Sequence, residues 1–370
     1  MSNLQSLRRR RDAVDVPPAT AAGAGRMLAL RTARVCYTPV VPGAIYQAVL
    51  GIDEAGLGPL LGPLCVGYCS FTLPAPVTAG AILSLDLWQP LGIGRTAKER
   101  KQRPVVCDSK KLYSSSRGVK PLEEEILGWA ALAGHEPAGF NPFMAAFCPY
   151  TRGRPGALPW YESPLDPFPL AADAARSRLR AQPVAHALER EGLSLESIGT
   201  SPLIAPELNA LISRTGNKSR AEFDLICEII AKAWTRHHRL AVLCDRQGGR
   251  ERYGRALSAQ FPEAEVKAFV ESPPISSYEL TVPGVDDDPR LFIAFIEKGE
   301  NDHLPIALAS MAAKYVRELM MRQMNDWFLS HDPKLKPTAG YYQDATRFLK
   351  ETAELRKRLK LNDAHLIRAK

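Results

Sequence analysis

Three short apolar runs in this 370-residue chain end in acidic residues. The run 45–52, IYQAVLGI, stops at Asp53 and Glu54. The run 240–244, LAVLC, stops at Asp245, and 291–296, LFIAFI, is followed by Lys298, Gly299 and Glu300. Read as strands, such runs deliver carboxylates to strand ends, where they can converge on one sheet edge. Carboxylate oxygens are hard donors that suit Mg2+ or Mn2+, whereas His and Cys select softer metals. Two such ions about 3.5–4 Å apart can activate a water and stabilise both attacking and leaving oxygens in phosphoryl transfer. Taken singly, each acid serves equally well as a helix cap or a solvated turn residue.

Other chemistries find less support. Gly56-Leu57-Gly58-Pro59 has the look of a phosphate-cradling loop, but no Gly-Lys-Ser/Thr follows it. The seven cysteines are scattered; Cys65 and Cys69 have no second pair to complete a zinc site. Free cysteines in apolar stretches fit a reducing, cytoplasmic compartment. His237, His238 and His303 lack metal partners at useful spacing. Ser310 lies in a helical pattern without an evident His-Asp pair, so it is not read as a nucleophile. No run of about 18 apolar residues is present, and no membrane span is expected.

The elements that must position the acids alternate. Residues 45–52 and 64–73 read as a hairpin with acids at its turn end, and 79–91 as a short helix. The eight prolines within 135–170 read as a surface insertion unable to form regular helix, with a helix over 171–191 after it. One helical pattern covers 207–233, a strand 240–244, and a helix 250–261. Strands follow at 266–270 and 291–296, a long helix at 304–329, and a basic helix from 344. The fold class is α/β with a mixed sheet. The expected organisation is a disordered basic arm (1–43), a catalytic domain (44–350) with an insertion or helical region at about 115–235, and a basic helical tail (351–370). A translation start at Met27 is conceivable.

Five blocks carry a resemblance to the ribonuclease HII (type 2 ribonuclease H) family. Gly51-Ile52-Asp53-Glu54-Ala55-Gly56-Leu57-Gly58-Pro59 with Gly62-Pro63 resembles its opening motif. Asp108-Ser109-Lys110-Lys111-Leu112 is similar to its second motif, and Ala309-Ser310-Met311-Ala312-Ala313-Lys314 with Arg317-Glu318 to its helix motif. Lys298-Gly299-Glu300 falls at the spacing of the element before that helix, and Gly340-Tyr341 with Asp344 resembles the late Gly-Tyr motif. The resemblance implies a ribonuclease H-like mixed five-stranded sheet flanked by helices, with the Pro-rich insertion and helical tail added. It implies a divalent-metal-dependent endonuclease that cuts the RNA strand of RNA–DNA hybrids. Asp53, Glu54, Asp245 and Glu300 would be the metal-binding catalytic carboxylates, with Asp302 the alternative to Glu300. The backbone of Gly56-Leu57-Gly58 would approach the ribose 2′-hydroxyl, the group that distinguishes RNA from DNA. Tyr341 would stack on or orient the sugar, and Lys110, Lys111 and Lys314 would steady phosphates. The chain departs from the family in having Leu57 where an Arg is usual, Arg246 where a Gly usually follows the third acid, and Glu in place of Asp at 300.

The charge pattern agrees with an anionic partner. Net charge is +8. Residues 95–120 hold nine Lys/Arg against two acids, and 350–370 seven against three; either stretch could follow a phosphate backbone or form a solvated face. The expected partner is nucleic acid, a hybrid or a duplex with embedded ribonucleotides; no membrane and no protein partner is expected. Two rival readings use the same residues: a non-catalytic nucleic-acid-binding protein on this fold, or a related nuclease acting on DNA. Four acids in one cleft argue against the first, because uncompensated carboxylates repel one another and phosphate.

Overall fold

The computed structural model describes residues 44–114, 118–151 and 158–369; the expected arm over 1–43 lies outside the described residues. Strands β1 (Ile45–Ala55) and β2 (Leu64–Thr78) form an antiparallel hairpin, closed by the short helix α1 (Ala79–Leu83). Helices α2 (Ser109–Leu112), α3 (Lys120–Leu132), α4 (Phe140–Phe147) and α5 (Ala174–Glu191) precede β3 (Ser194–Leu203). Helices α6 (Ala205–Thr215) and α7 (Lys218–Arg236) lead into β4 (Arg239–Asp245), followed by α8 (Gly254–Gln260). Strands β5 (Glu265–Ser272), β6 (Ile275–Thr281) and β7 (Arg290–Ile296) come next. The long helix α9 (Leu304–His331) is followed by α10 (Tyr342–Glu351), α11 (Ala353–Arg358) and α12 (Asp363–Leu366).

The sheet has seven strands in the order β3-β2-β1-β4-β7-β6-β5, not five as expected. β1, β4 and β7 run parallel, and the other pairings are antiparallel. The surplus is the β5-β6 hairpin at one edge; without it a five-stranded mixed sheet remains. Both faces are covered, which explains why the central strands read as nearly continuous apolar runs. Period-two alternation splits them between two cores. Ala48, Leu50, Ile52, Val242 and Cys244 pack with α6, α7 and α8, whereas Val49, Ala241 and Leu243 pack with α3 and α9.

Helix α9 lies hard against the hairpin because two strand residues have no side chain. A Cβ on Gly51 would collide with the Pro305 backbone, and one on Gly67 with the Ala309 backbone. This contact fixes α9, and with it Ser310 and Lys314, relative to the end of β1.

Several expected elements need correction. The helix expected over 79–91 ends at Leu83. The helical pattern over 207–233 breaks at Gly216, which caps α6 at φ +82°, a conformation that favours glycine. The proline-rich stretch does form a helix, α4: its Pro142 falls in the first turn, where the missing N–H has no intrahelical role. Within 115–235, β3 pairs with β2 and belongs to the central sheet. The loop before α5 is pinned by Glu123, whose buried carboxylate accepts from the Leu170, Ala171 and Ala172 amides and from the Tyr315 hydroxyl. Among the described residues no helix is long and apolar enough to cross a membrane.

Candidate metal centre

Parallel pairing of β1 with β4 aligns Ile52 with Cys244, so Asp53 and Asp245 become neighbours at the same sheet edge. Strand alternation then directs Asp53 and Asp245 toward the α9 face and Glu54 toward the α7 face. One carboxylate oxygen from each of Asp53, Glu54 and Asp245 lies within 4.8 Å of the others. All three belong to strands whose neighbours are buried apolar residues, so their backbone positions are fixed.

Hydrogen bonds orient the acids. Asp53 Oδ1 accepts from the Glu54 amide at 2.7 Å, and Asp245 Oδ1 accepts from the Gly299 amide at 2.9 Å. The Ser310 hydroxyl on α9 faces the Asp53 carboxylate and partly offsets the rise in its pKa. Ser310 Oγ is in turn 3.4 Å from Ser109 Oγ on α2. Thus the second block of the sequence and the α9 block meet behind Asp53, and Asp108 caps α2 by accepting from the Lys110 amide at 3.0 Å.

Glu300 follows the same loop as Gly299 and interacts with both Asp53 and Asp245, while Asp302 is exposed and acts on His303 rather than on the cluster. Of the two alternatives Glu300 is the one that acts on the acids, although it is not part of the group of Asp53, Glu54 and Asp245 whose oxygens lie within 4.8 Å of one another. A fifth carboxylate went unnoticed in the sequence: Glu222, in the second turn of α7, acts on both Asp53 and Glu54. Its signal was an acid on the apolar stripe of a helix, spaced with Leu225, Ile226 and Ile229.

Crowding and burial hold protons on these groups. Burial first, then the charges of Glu222 and Asp245, pushes Glu54 up to about 8. Burial and Asp53 push Asp245 up to about 8, and burial and Asp53 push Glu222 to about 8. Asp53 is raised well above the carboxylate range by burial and by Glu54. Like charges in low dielectric disfavour joint ionisation unless a cation is shared. The donor set is all oxygen, as Mg2+ and Mn2+ require.

The other expected contact residues take varied positions. Gly56 adopts φ +87°, and a Cβ there would meet Arg317 and the Pro63 carbonyl. Leu57 packs partly buried against the α7 core, and Gly58 is exposed. Lys110 and Lys111 are exposed beside the Ser109 turn. Lys314 pairs with Glu318 at 2.6 Å and lies over the Tyr113 ring at 4.7 Å. Tyr341 is 53% exposed, and the Gly340 carbonyl before it accepts from the Leu60 and Leu61 amides.

The basic stretches are less free than their composition suggests. Arg95 pairs with Asp86 at 2.8 Å, Arg100 with Glu124 and Glu125, and Arg103 with Glu99. In the tail, Arg356 pairs with Asp363 and Arg368 is buried. Lys98, Lys101, Lys357, Arg358 and Lys360 remain exposed.

No protein family's model matches the chain, and no curated protein does. Among solved structures the chain is similar to ribonuclease HII in its complex with PCNA from Archaeoglobus fulgidus, at 13% identity, with 87% of this chain and 94% of that one covered and a TM-score of 0.42. It is similar to ribonuclease H2 from Pyrococcus horikoshii OT3 at 12% identity, covering 86% and 92%, with a TM-score of 0.37. It is also similar to Bst-RNase HIII in complex with Mn2+, at 13% identity, covering 87% and 66%, with a TM-score of 0.37. At such scores the superpositions carry no argument, and the reading rests on this chain's own residues.

Proposed function

We propose that this protein is a divalent-metal-dependent endonuclease that hydrolyses the RNA strand of RNA–DNA hybrids. The observation that carries the reading is the meeting of Asp53, Glu54 and Asp245 within 4.8 Å at one sheet edge. The substrate class comes from the motif resemblance; the Ser109–Ser310 contact and the Gly299–Asp245 bond, which link three of its blocks, support it. Asp53, Glu54, Asp245 and Glu300 would hold Mg2+ or Mn2+. Bound there, such ions supply Lewis-acid stabilisation of a phosphodiester undergoing hydrolysis.

The remaining roles belong to the chain itself. The Ser109–Ser310 pair and the Gly299 amide hold Asp53 and Asp245 in fixed orientations, so little reorganisation is needed when phosphate arrives. Lys110 and Lys111 offer exposed cations to the backbone of a nucleic acid. Lys314, paired with Glu318, would exchange that partner for phosphate. The Gly56-Leu57-Gly58 turn and the exposed Tyr341 ring, whose preceding Gly340 carbonyl accepts from the Leu60 and Leu61 amides just beyond the turn, would form the surface for the ribose.

The test is cleavage of three labelled substrates: a hybrid, a DNA duplex with one embedded ribonucleotide, and a plain DNA duplex. Each is incubated with Mg2+, Mn2+ or EDTA. Hybrid cleavage that EDTA abolishes is the expected result; cleavage of plain DNA alone, or of nothing with either metal, overturns the reading.

A further inference from the structure

We propose that Glu222 is an additional cation ligand of this site, lending a carboxylate from helix α7 to the divalent ion held by Glu54. The inference rests on the reading of the strand-end acids as a metal centre, and extends it to a residue on the opposite face of the sheet.

Glu222 is fully buried, and neither carboxylate oxygen makes a hydrogen bond of ordinary geometry. No ion pair reaches it among the described residues. The same fold shows how a structural buried acid is treated: Glu123, equally buried, is satisfied by three backbone amides and a tyrosine hydroxyl. A carboxylate left without donors in the interior costs several kcal/mol unless something compensates it. Around Glu222 the flanking α7 residues Ala221, Leu225 and Ile226 are buried and apolar, so no compensation comes from its own helix. What faces it is Glu54 and Asp53, together with Gln247 from the loop after Asp245; the Arg250 guanidinium acts on it without forming an ion pair. Gln247 is itself buried, and its Nε2 also lacks a partner.

Three acids that converge on one buried space, with the Gln247 amide as the neutral group beside them, are complementary to a positive ion rather than to one another. The set offers only oxygen ligands once the Gln247 amide is turned, which selects a hard divalent cation over a soft one. Asp53 and Asp245 serve the α9 side of the edge, and Glu54 with Glu222 the α7 side. Asp53, which acts on Glu222 as well as on Asp245, stands between the two halves.

The experiment titrates the full chain with Mn2+ alone, without nucleic acid, by calorimetry and by thermal melting. Glu222→Gln is expected to weaken Mn2+ binding about tenfold or more and, at about pH 8.5 or above where the carboxylate is charged, to raise the melting temperature of the metal-free protein by removing a repelling charge. Wild-type Mn2+ affinity in this variant overturns the inference. If circular dichroism shows that the Gln variant does not fold, Glu222→Asp carries the test: weakened Mn2+ binding supports the proposal, and unchanged binding overturns it. Asp53→Asn, run in parallel, separates the two claims. Loss of Mn2+ binding in Asp53→Asn with full retention in Glu222→Gln sinks the role of Glu222 alone. Absence of Mn2+ binding by the wild-type chain sinks the metal centre itself.

Discussion

Arg368 donates through Nη2 to the Leu57 carbonyl at 2.9 Å and through Nη1 to the Gly56 carbonyl, across 311 and 312 residues of chain. Its own amide bonds the Leu60 carbonyl, and Asn209 on α6 holds the Ala364 and Ile367 carbonyls and the Ala369 amide. The tail is therefore a brace under the glycine-rich turn rather than a free basic arm. Arg368→Met leaves two partly buried carbonyls without donors, at a cost of about 1–3 kcal/mol. Melting should drop by several degrees and hybrid binding should weaken. Unchanged melting and binding would show that the turn holds itself.

The strand-end acids lead to a kinetic expectation. Asp53→Asn or Asp245→Asn keeps side-chain volume and removes one anionic ligand, so the cleavage rate should fall by about a thousandfold or more, on the order of the loss of a main transition-state stabiliser. Hybrid affinity, measured by anisotropy with Ca2+ or EDTA, should change little. Full cleavage by both variants removes these residues from the chemistry.

Raised acid pKa values give a pH dependence of stability whose sign is fixed. Glu54, Glu222 and Asp245 titrate near about 8 in the folded chain, above their unfolded values. The folded state then binds more protons than the unfolded state between about pH 4 and 8, so stability falls as pH rises through that window. Metal-free protein should melt several degrees higher at about pH 5.5 than at about pH 8.5. Mn2+ should raise the melting temperature more at the higher pH, where no proton competes for the ligands. Melting that rises with pH in EDTA would contradict the crowded-carboxylate picture.

Tyr341 tests the substrate surface apart from the chemistry. Its ring is largely exposed, so Tyr341→Ala should shift stability by no more than about 0.5 kcal/mol. Loss of a stacking partner would weaken hybrid binding by about 1–3 kcal/mol. Equal affinity of wild type and variant in an anisotropy titration would place the nucleic acid elsewhere.

Glu123 is the opposite case, a buried acid with structural work only. Glu123→Leu strands three amides and the Tyr315 hydroxyl and should cost about 3 kcal/mol or more. Chemical denaturation measures this directly. Because Glu123 ties the loop over 170–172 to α9, limited proteolysis should cut there first in the variant.

The sequence was legible where one local pattern dictates one structure. Residues 45–52, 240–244 and 291–296 are apolar runs that can only be central strands or core helix, and the acids beyond them reach the edge by strand geometry alone. β3 and β6 were missed because SLESIGTSPL and ISSYELT carry polar residues that the sheet buries anyway: Thr200, Ser201, Ser276 and Ser277 are all buried. Their pairing depends on neighbours far along the chain, which no local period reveals. Glu222 was hidden for the same reason. Nothing near it in sequence says that its helix crosses behind Glu54. The ion pairs that occupy Arg95, Arg100 and Arg103 are likewise tertiary, so composition overstated how much positive surface remains.

Bare backbone at Gly51 and Gly67 puts α9 directly on the hairpin, with no side chain between them to yield. The end of β1 therefore cannot spread to suit a larger ion; only rotations about the acid side chains remain. Selection among cations by radius would then be a property of main-chain spacing. Restoring a methyl at either glycine should loosen that selection before it alters which residues do the binding.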